Sequence, residues 1–292
     1  MQGLKYIKKE IPILQSLHTV AQVYQETSIV KIQEVRAGVL TTRDYLSGLS
    51  HIYSELKTSQ SNEIVKLAAK SSKNTKTKSK KLQKTLLILL SANTKLYGEI
   101  VKDVYRLFIE ALKNEPNADV MIVGRLGERL FKEDGMVRQH VFIEIPDSDL
   151  QPKDLEPIIF NIVKYENVVV FHGKFYNLVT QRASKVNITG EVVSEEGATE
   201  KAQVKKQFLF EPNLEKLIQF FETQIFVTLF RQTVHESELA RYASRVNAME
   251  ESLQSIKKRQ KELNSAKQRL TRSLQQKKQL ERLSGMRLWR AV

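Results

Sequence analysis

Cysteine is absent from the 292 residues. A chain without thiols holds neither a disulfide framework nor a thiolate-bound metal, so its fold rests on packing and hydrogen bonding. Glycine and proline are scarce, at eleven and six residues. Both interrupt helices, and their scarcity favours long helical runs. No apolar run approaches the ~18–20 residues that span a bilayer. The longest candidate, Thr85 to Ser91, has the length of a strand. Lys5, Lys8, Lys9 and Glu10 precede any apolar stretch, which argues against a secretory signal.

Catalytic signatures are missing as well. There is no G-x-x-x-x-G-K-[ST] phosphate cradle, no H-E-x-x-H zinc pair and no G-x-S-x-G nucleophile elbow. The five histidines, at 18, 51, 140, 172 and 235, are scattered, and no metal site is expected. The G-x-x-G at Gly124 to Gly127 is read as a tight strand-to-helix turn. Asp147 and Asp149, like Glu195 and Glu196, sit in polar stretches and are read as solvated. No catalytic residue and no cofactor is assigned.

Basic charge is plentiful. Lys and Arg number 47 against 33 acids, a net charge of +14. Residues 63–84 hold eight Lys against one acid, and residues 251–292 hold twelve Lys or Arg against three Glu. Such a balance points to nucleic acid, an anionic surface or an acidic protein partner. Residues 251–292 have one aromatic, Trp289, and no nucleic-acid-binding signature, so they lack a stacking platform for bases.

The apolar residues of the first segment, 1–57, fall on two heptad rows. One runs Leu4, Ile11, Ile32, Val39, Leu46, Tyr53; the other runs Ile7, Leu14, Ala21, Val35, Leu49, Leu56. Together they predict a helix lying along another helix, weakest at His18, Gln25 and Ser28. Pro12 is expected to kink or restart this helix near Ile11. Residues 58–84, rich in Lys, Ser and Thr, read as a loosely held basic linker with room for one helical turn around Ile64 to Ala69.

Residues 85–210 alternate between strand and helix patterns. TLLILLSAN, DVMIVG, HVFIEI and NVVVFHGKF read as strands, and Glu99–Leu112 and Leu155–Val163 as helices. That order predicts one small α/β, Rossmann-like domain with parallel strands. VTQRASKVNITGEVV and VKKQFLF add two strand-like pieces around an acidic turn. From 211 to 292, after Glu211-Pro212-Asn213, there is no Pro or Gly until Gly285. The rows Leu239, Val246, Leu253, Leu274 and Tyr242, Met249, Ile256, Leu263, Leu270 give a second heptad seam. Gln260 and Lys267 break the first row, so the helix is expected to outlast its partner and end as a free tip. An antiparallel pairing of the N- and C-terminal helices, with the α/β domain inserted between them, is the simplest closure.

Local sequence fits this layout. LILLSANTKLYGEI (Leu87–Ile100), DVMIVGRLGERLF (Asp119–Phe131), GKFYNLVTQ (Gly173–Gln181), FLFEPN (Phe208–Asn213), SELA (Ser237–Ala240), RVNAM (Arg245–Met249), NSAKQ (Asn264–Gln268) and Ser284-Gly285 occur in order. The series resembles the gamma chain of F-type ATP synthases. HTVAQVYQETSIVKI (His18–Ile32), where that family usually carries K-I-T-K-A-M, marks a divergent member. The resemblance implies a central rotor shaft with no active site of its own. Its implied partners are the alpha and beta subunits of the F1 ring, an epsilon-type subunit and the membrane c-ring, without nucleic acid. It also implies a peripheral place on the cytoplasmic face of a bacterial cell membrane. Arg245, Met249, Lys267, Gln268 and Thr271 carry over as candidate contacts with the ring. Two other readings stand beside it: a rotary subunit of a related F1-like ATPase used for something other than synthesis, and a basic coiled-coil protein associated with nucleic acid.

Overall fold

The computed structural model describes residues 2–59, 82–136, 138–148, 150–188 and 214–289. Most of the expected basic linker, with its helical turn at 64–69, and the strand-like piece VKKQFLF lie outside these residues. Helix α1 spans Gln2–Ser59. Strand β1 (Leu82–Leu90), helix α2 (Ile100–Asn114), β2 (Asp119–Val123), α3 (Arg125–Glu133), β3 (Val141–Ile143), α4 (Pro152–Ile162), β4 (Tyr165–Phe175) and β5 (Gln181–Asn187) follow. Helix α5 spans Leu214–Trp289. The chain forms two compact units, one of residues 29–244 and one of residues 1–28 with 245–292.

In the larger unit the sheet runs β3-β2-β1-β4-β5. Strands β1, β2, β3 and β4 are parallel, and β5 returns antiparallel along β4. The apolar run of β1 is buried on both faces, as a central parallel strand requires. Leu86, Ile88 and Leu90 point to one face, where Ile158 and Ile162 of α4 and Phe230 and Val234 of α5 cover them. Leu87 and Leu89 point to the other, where Val104 and Phe108 of α2 and Phe131 of α3 close the core. Phe108 meets Phe171 of β4 edge-on at 5.5 Å between ring centres. The same unit holds the second half of α1, where Leu49 and Tyr53 pack on Ile225 of α5.

The smaller unit is an antiparallel helix pair. Gly3 lies against Leu270, Glu10 pairs with Arg259, and Ala21 packs on Met249 and Leu253. The expected seam holds: Ile7 and Ala21 are buried, and Leu4, Ile11, Leu14 and His18 are partly buried. Its polar positions are resolved locally. Gln25 Nε2 donates to Glu250 Oε2 at 2.9 Å, which lowers the Glu250 pKa. Ser28, only 1% exposed, donates to the Tyr24 carbonyl one turn back. The restart expected at Pro12 does not occur, because α1 carries Pro12 within one helix. Pro12 is exposed, and its own carbonyl accepts a bond from Ser16 Oγ.

Truncating Phe108, fully buried between α2 and the sheet, should cost about 3–5 kcal/mol of stability. Denaturant unfolding of Phe108→Ala, read at its midpoint, checks this. A loss well under 1 kcal/mol would mean that the layer is not close-packed.

Candidate functional site

In an open α/β sheet, ligands bind beyond the carboxyl ends of the strands, where the strand order reverses. Here that point lies between β1 and β4. It is filled by the protein's own helix α5. A Cβ on Gly173, near the end of β4, would stand 3.0 Å from the Ala240 methyl group. A side chain at 173 would therefore need Ala240 or the nearby Ile100 side chain to give by a few tenths of an ångström. Arg241, one residue on, reaches over the end of β1 and donates from its guanidinium to the Ser91 carbonyl at 2.5 Å. It also lies over the Tyr97 ring, 5.8 Å from its centre. Tyr97 meets Tyr242 edge-on at 6.2 Å, and the Tyr242 hydroxyl donates to the Asp147 carbonyl.

Asp147 organises the loops beneath. One carboxylate oxygen accepts the Asn93 N–H at 2.8 Å, and the other accepts the Thr94 N–H and hydroxyl at 2.9 and 2.8 Å. Asn93 in turn donates to the Ile145 carbonyl and accepts from the Arg125 N–H, which satisfies the open end of α3. Asp147 is thus partly buried and fully engaged, where the sequence places it in a solvated turn. The turn into α3 requires glycine. Gly124 has φ +98°, and a Cβ there would lie 2.9–3.0 Å from the Ala92 backbone. Gly98 has φ +62° and packs under Ser244, whose hydroxyl a Cβ would meet at 2.5 Å. Neutral bonds in such a network contribute about 0.5–1.5 kcal/mol each, and those to charged groups about 1.5–3.

The candidate contact residues divide by exposure. Arg245 is 8% exposed and lies over the Tyr24 ring at 5.6 Å. Met249, 7% exposed, is part of the seam with Ala21 and Leu253. Lys267 and Gln268 are exposed. The partly buried Thr271 donates back to the Lys267 carbonyl. Leu263 is the last buried residue of α5 in the described range. Beyond it Leu270, Leu280 and Leu283 are 39%, 66% and 58% exposed. Among the described residues, no group of acids and histidines is placed to hold a metal, and no helix is long and apolar enough to cross a membrane. A cleft of about 330 Å³ between α1, α4 and α5 has Arg231 and His235 as its ionisable lining.

His172 lies beside Gly173 on β4 and is 2% exposed, its Nδ1 donating to the Gly173 carbonyl at 3.1 Å. Burial lowers its pKa below 6.5, against the opposing pull of that hydrogen bond and of Glu236. The unfolded chain therefore binds the proton more readily than the fold. Stability from this residue is complete above about pH 6.5 and is lost as pH falls towards the lower folded value. His172→Gln should flatten the acid limb of a stability–pH curve below about pH 6.5. An unchanged limb would assign the acid loss to other groups.

The family model described as "ATP synthase" matches residues 3–273. The ATP synthase gamma chain of Mycoplasma mycoides is 23% identical over 256 residues, 86% of either chain. That of Campylobacter concisus is 22% identical over 277 residues, 91% of this chain and 92% of the relative. Among solved structures, the rotor of the Euglena gracilis mitochondrial ATP synthase shares the fold, with a TM-score of 0.60 at 12% identity over 93% of this chain and 98% of that one. The Tetrahymena thermophila central stalk does so with a TM-score of 0.54 at 15% identity, over 80% of this chain and 99% of that one. A sheet whose ligand crevice is plugged by its own helix, a helix pair in which α5 runs on past its last described buried residue, and a family match across nearly all of this length agree: the chain belongs to the ATP synthase family, as a divergent member among the gamma chains.

Proposed function

We propose that this chain is the central rotor shaft of an F-type ATP synthase. It turns with a membrane ring of c subunits and, as it turns, forces the nucleotide sites of an enclosing ring of alpha and beta subunits through different affinities. The observation that carries this is the outer face of the helix pair. Residues 11–25 of α1 contain no Asp, Glu, Lys or Arg. Within that window Ile13, Leu17, Val20 and Val23 are 59%, 49%, 51% and 55% exposed, although the inner seam is already closed by other residues. A contiguous apolar strip of this kind marks a surface that another protein covers. Above it α5 continues past Leu270, presenting leucines and cations on a helix with no described partner.

Coupling then follows from asymmetry. A shaft shifts a ring between states only by binding one arrangement better than the others. The chain itself carries out no chemistry, since the crevice that a nucleotide would need is filled by Ala240 and Arg241. The whole complex is the ATPase, peripheral to the membrane through this subunit and on its cytoplasmic face. Lys267, Gln268 and Thr271 are the proposed contacts of the tip. Arg245 and Met249 act through the helix pair, setting the presentation of its outer face. The rewritten N-terminal helix, His18–Ile32, favours keeping a second reading open, in which a related rotary complex spends ATP on work other than ion-driven synthesis.

Lys267→Ala combined with Gln268→Ala should lower ATP-driven proton pumping while leaving the folded chain intact by circular dichroism. Unchanged pumping would count against the tip contact. Purification of a tagged chain should bring down nucleotide-binding subunits in about threefold excess, set by the closed ring symmetry of such assemblies, and their absence would sink the shaft reading.

A further inference from the structure

If the chain is a rotor shaft, turning force must pass between its sheet domain and helix α5. We infer that Arg241, with Tyr242 and Ser244, is the joint that carries this force, because these residues plug α5 into the crevice at the carboxyl ends of β1 and β4. The inference rests on the shaft reading and goes beyond it by naming where slip would occur.

The joint has three properties that a packed apolar face lacks. First, it is directional. The Arg241 guanidinium holds the Ser91 carbonyl at 2.5 Å, and the Tyr242 hydroxyl holds the Asp147 carbonyl at 3.2 Å. Rotation of α5 about its axis breaks both. Second, it is dry: Arg241 is 5% exposed, Tyr242 4% and Ser91 5%. Water cannot readily replace a broken bond there, so a strained bond re-forms with its own partner rather than being exchanged. Third, the load is shared. Through Asp147 and Asn93 the contacts extend to Thr94, Ile145 and the first turn of α3, so one turn of α5 is tied to three loops of the sheet. The small residues complete the socket. Gly173 under Ala240 and Gly98 under Ser244 let the helix approach the sheet domain closely. Arg241 is a positioning residue in this sense and touches no nucleotide.

The test uses the complete complex, with a bead tethered at the β5 edge of the sheet domain and ATP hydrolysis followed in parallel. Arg241→Met should leave hydrolysis without load near the wild-type rate. Under viscous load, turns of hydrolysis unaccompanied by a turn of the bead should become on the order of tenfold more frequent, the factor set by losing one charge-assisted hydrogen bond. Arg241→Lys, which keeps the charge but not the reach over Tyr97, should fall between. The chain's lack of cysteine allows a rescue within it. Gly173→Cys with Ala240→Cys places the two Cβ atoms near the ~3.8 Å of a disulfide after a small backbone shift. Oxidation of that pair in the Arg241→Met background should restore wild-type stepping, and reduction should abolish it again. Unchanged stepping of Arg241→Met under load overturns the joint, as does a loss that the cross-link does not repair. A wild-type complex that hydrolyses ATP without turning the bead overturns the shaft reading itself.

Discussion

Everything in the larger unit is arranged around the seating of α5 on the strand ends. The helix approaches closely because residue 173 has no side chain and residue 240 has a methyl group. Once it is there, the polar ends of β1 and of the neighbouring loops lose their access to water. Buried backbone carbonyls must be paired, and Arg241 and Tyr242 do so for Ser91 and Asp147. The Asp147 carboxylate then does the same for the N–H groups of Asn93 and Thr94. The chemistry of a ligand-binding crevice has thereby been turned inward, with a helix occupying the position of the ligand.

The two halves of each long helix face different demands. Residues 228–245 of α5 are dense in buried polar groups, among them Thr228, Thr233, Ser237, Glu238, Arg241 and Ser244. The bonds that Arg241 and Tyr242 make to the Ser91 and Asp147 carbonyls fix the register of this stretch, since one misplaced turn would break both. In the smaller unit the seam is thin and partly polar. Its ion pair joins a partly buried Glu10 to a half-exposed Arg259. The first arrangement fixes the helix in place, and the second leaves most of its surface for others.

The periodic features were legible in the sequence. Strict heptad spacing located the seams of α1 and α5, and the unbroken apolar run of β1 announced a buried strand. The fraying at Gln260 and Lys267 foretold where burial stops. The network at the strand ends was not legible, because its members lie far apart in the chain: Ser91, Asp147 and Arg241 come together only through the crossovers of the sheet. Asp147 looks like any solvated turn residue until Asn93 and Thr94 are placed beside it. SELA and RVNAM were visible as local pieces. The reason for the small residue at 240 appears only when Gly173 is set opposite it. At Pro12 the helix does not restart for a simpler reason: a proline on the solvent side of a long helix costs one hydrogen bond but need not end the helix.

The uncharged strip on α1 has a consequence for how the protein is made. A newly synthesised chain without its enclosing partner exposes Ile13, Leu17, Val20 and Val23 side by side, on a helix too lightly paired to hide them. In the crowded interior of a cell such a strip is a site of self-association and a mark for degradation. On the shaft reading, such exposure is avoided when supply of this chain is matched to supply of the ring that covers it.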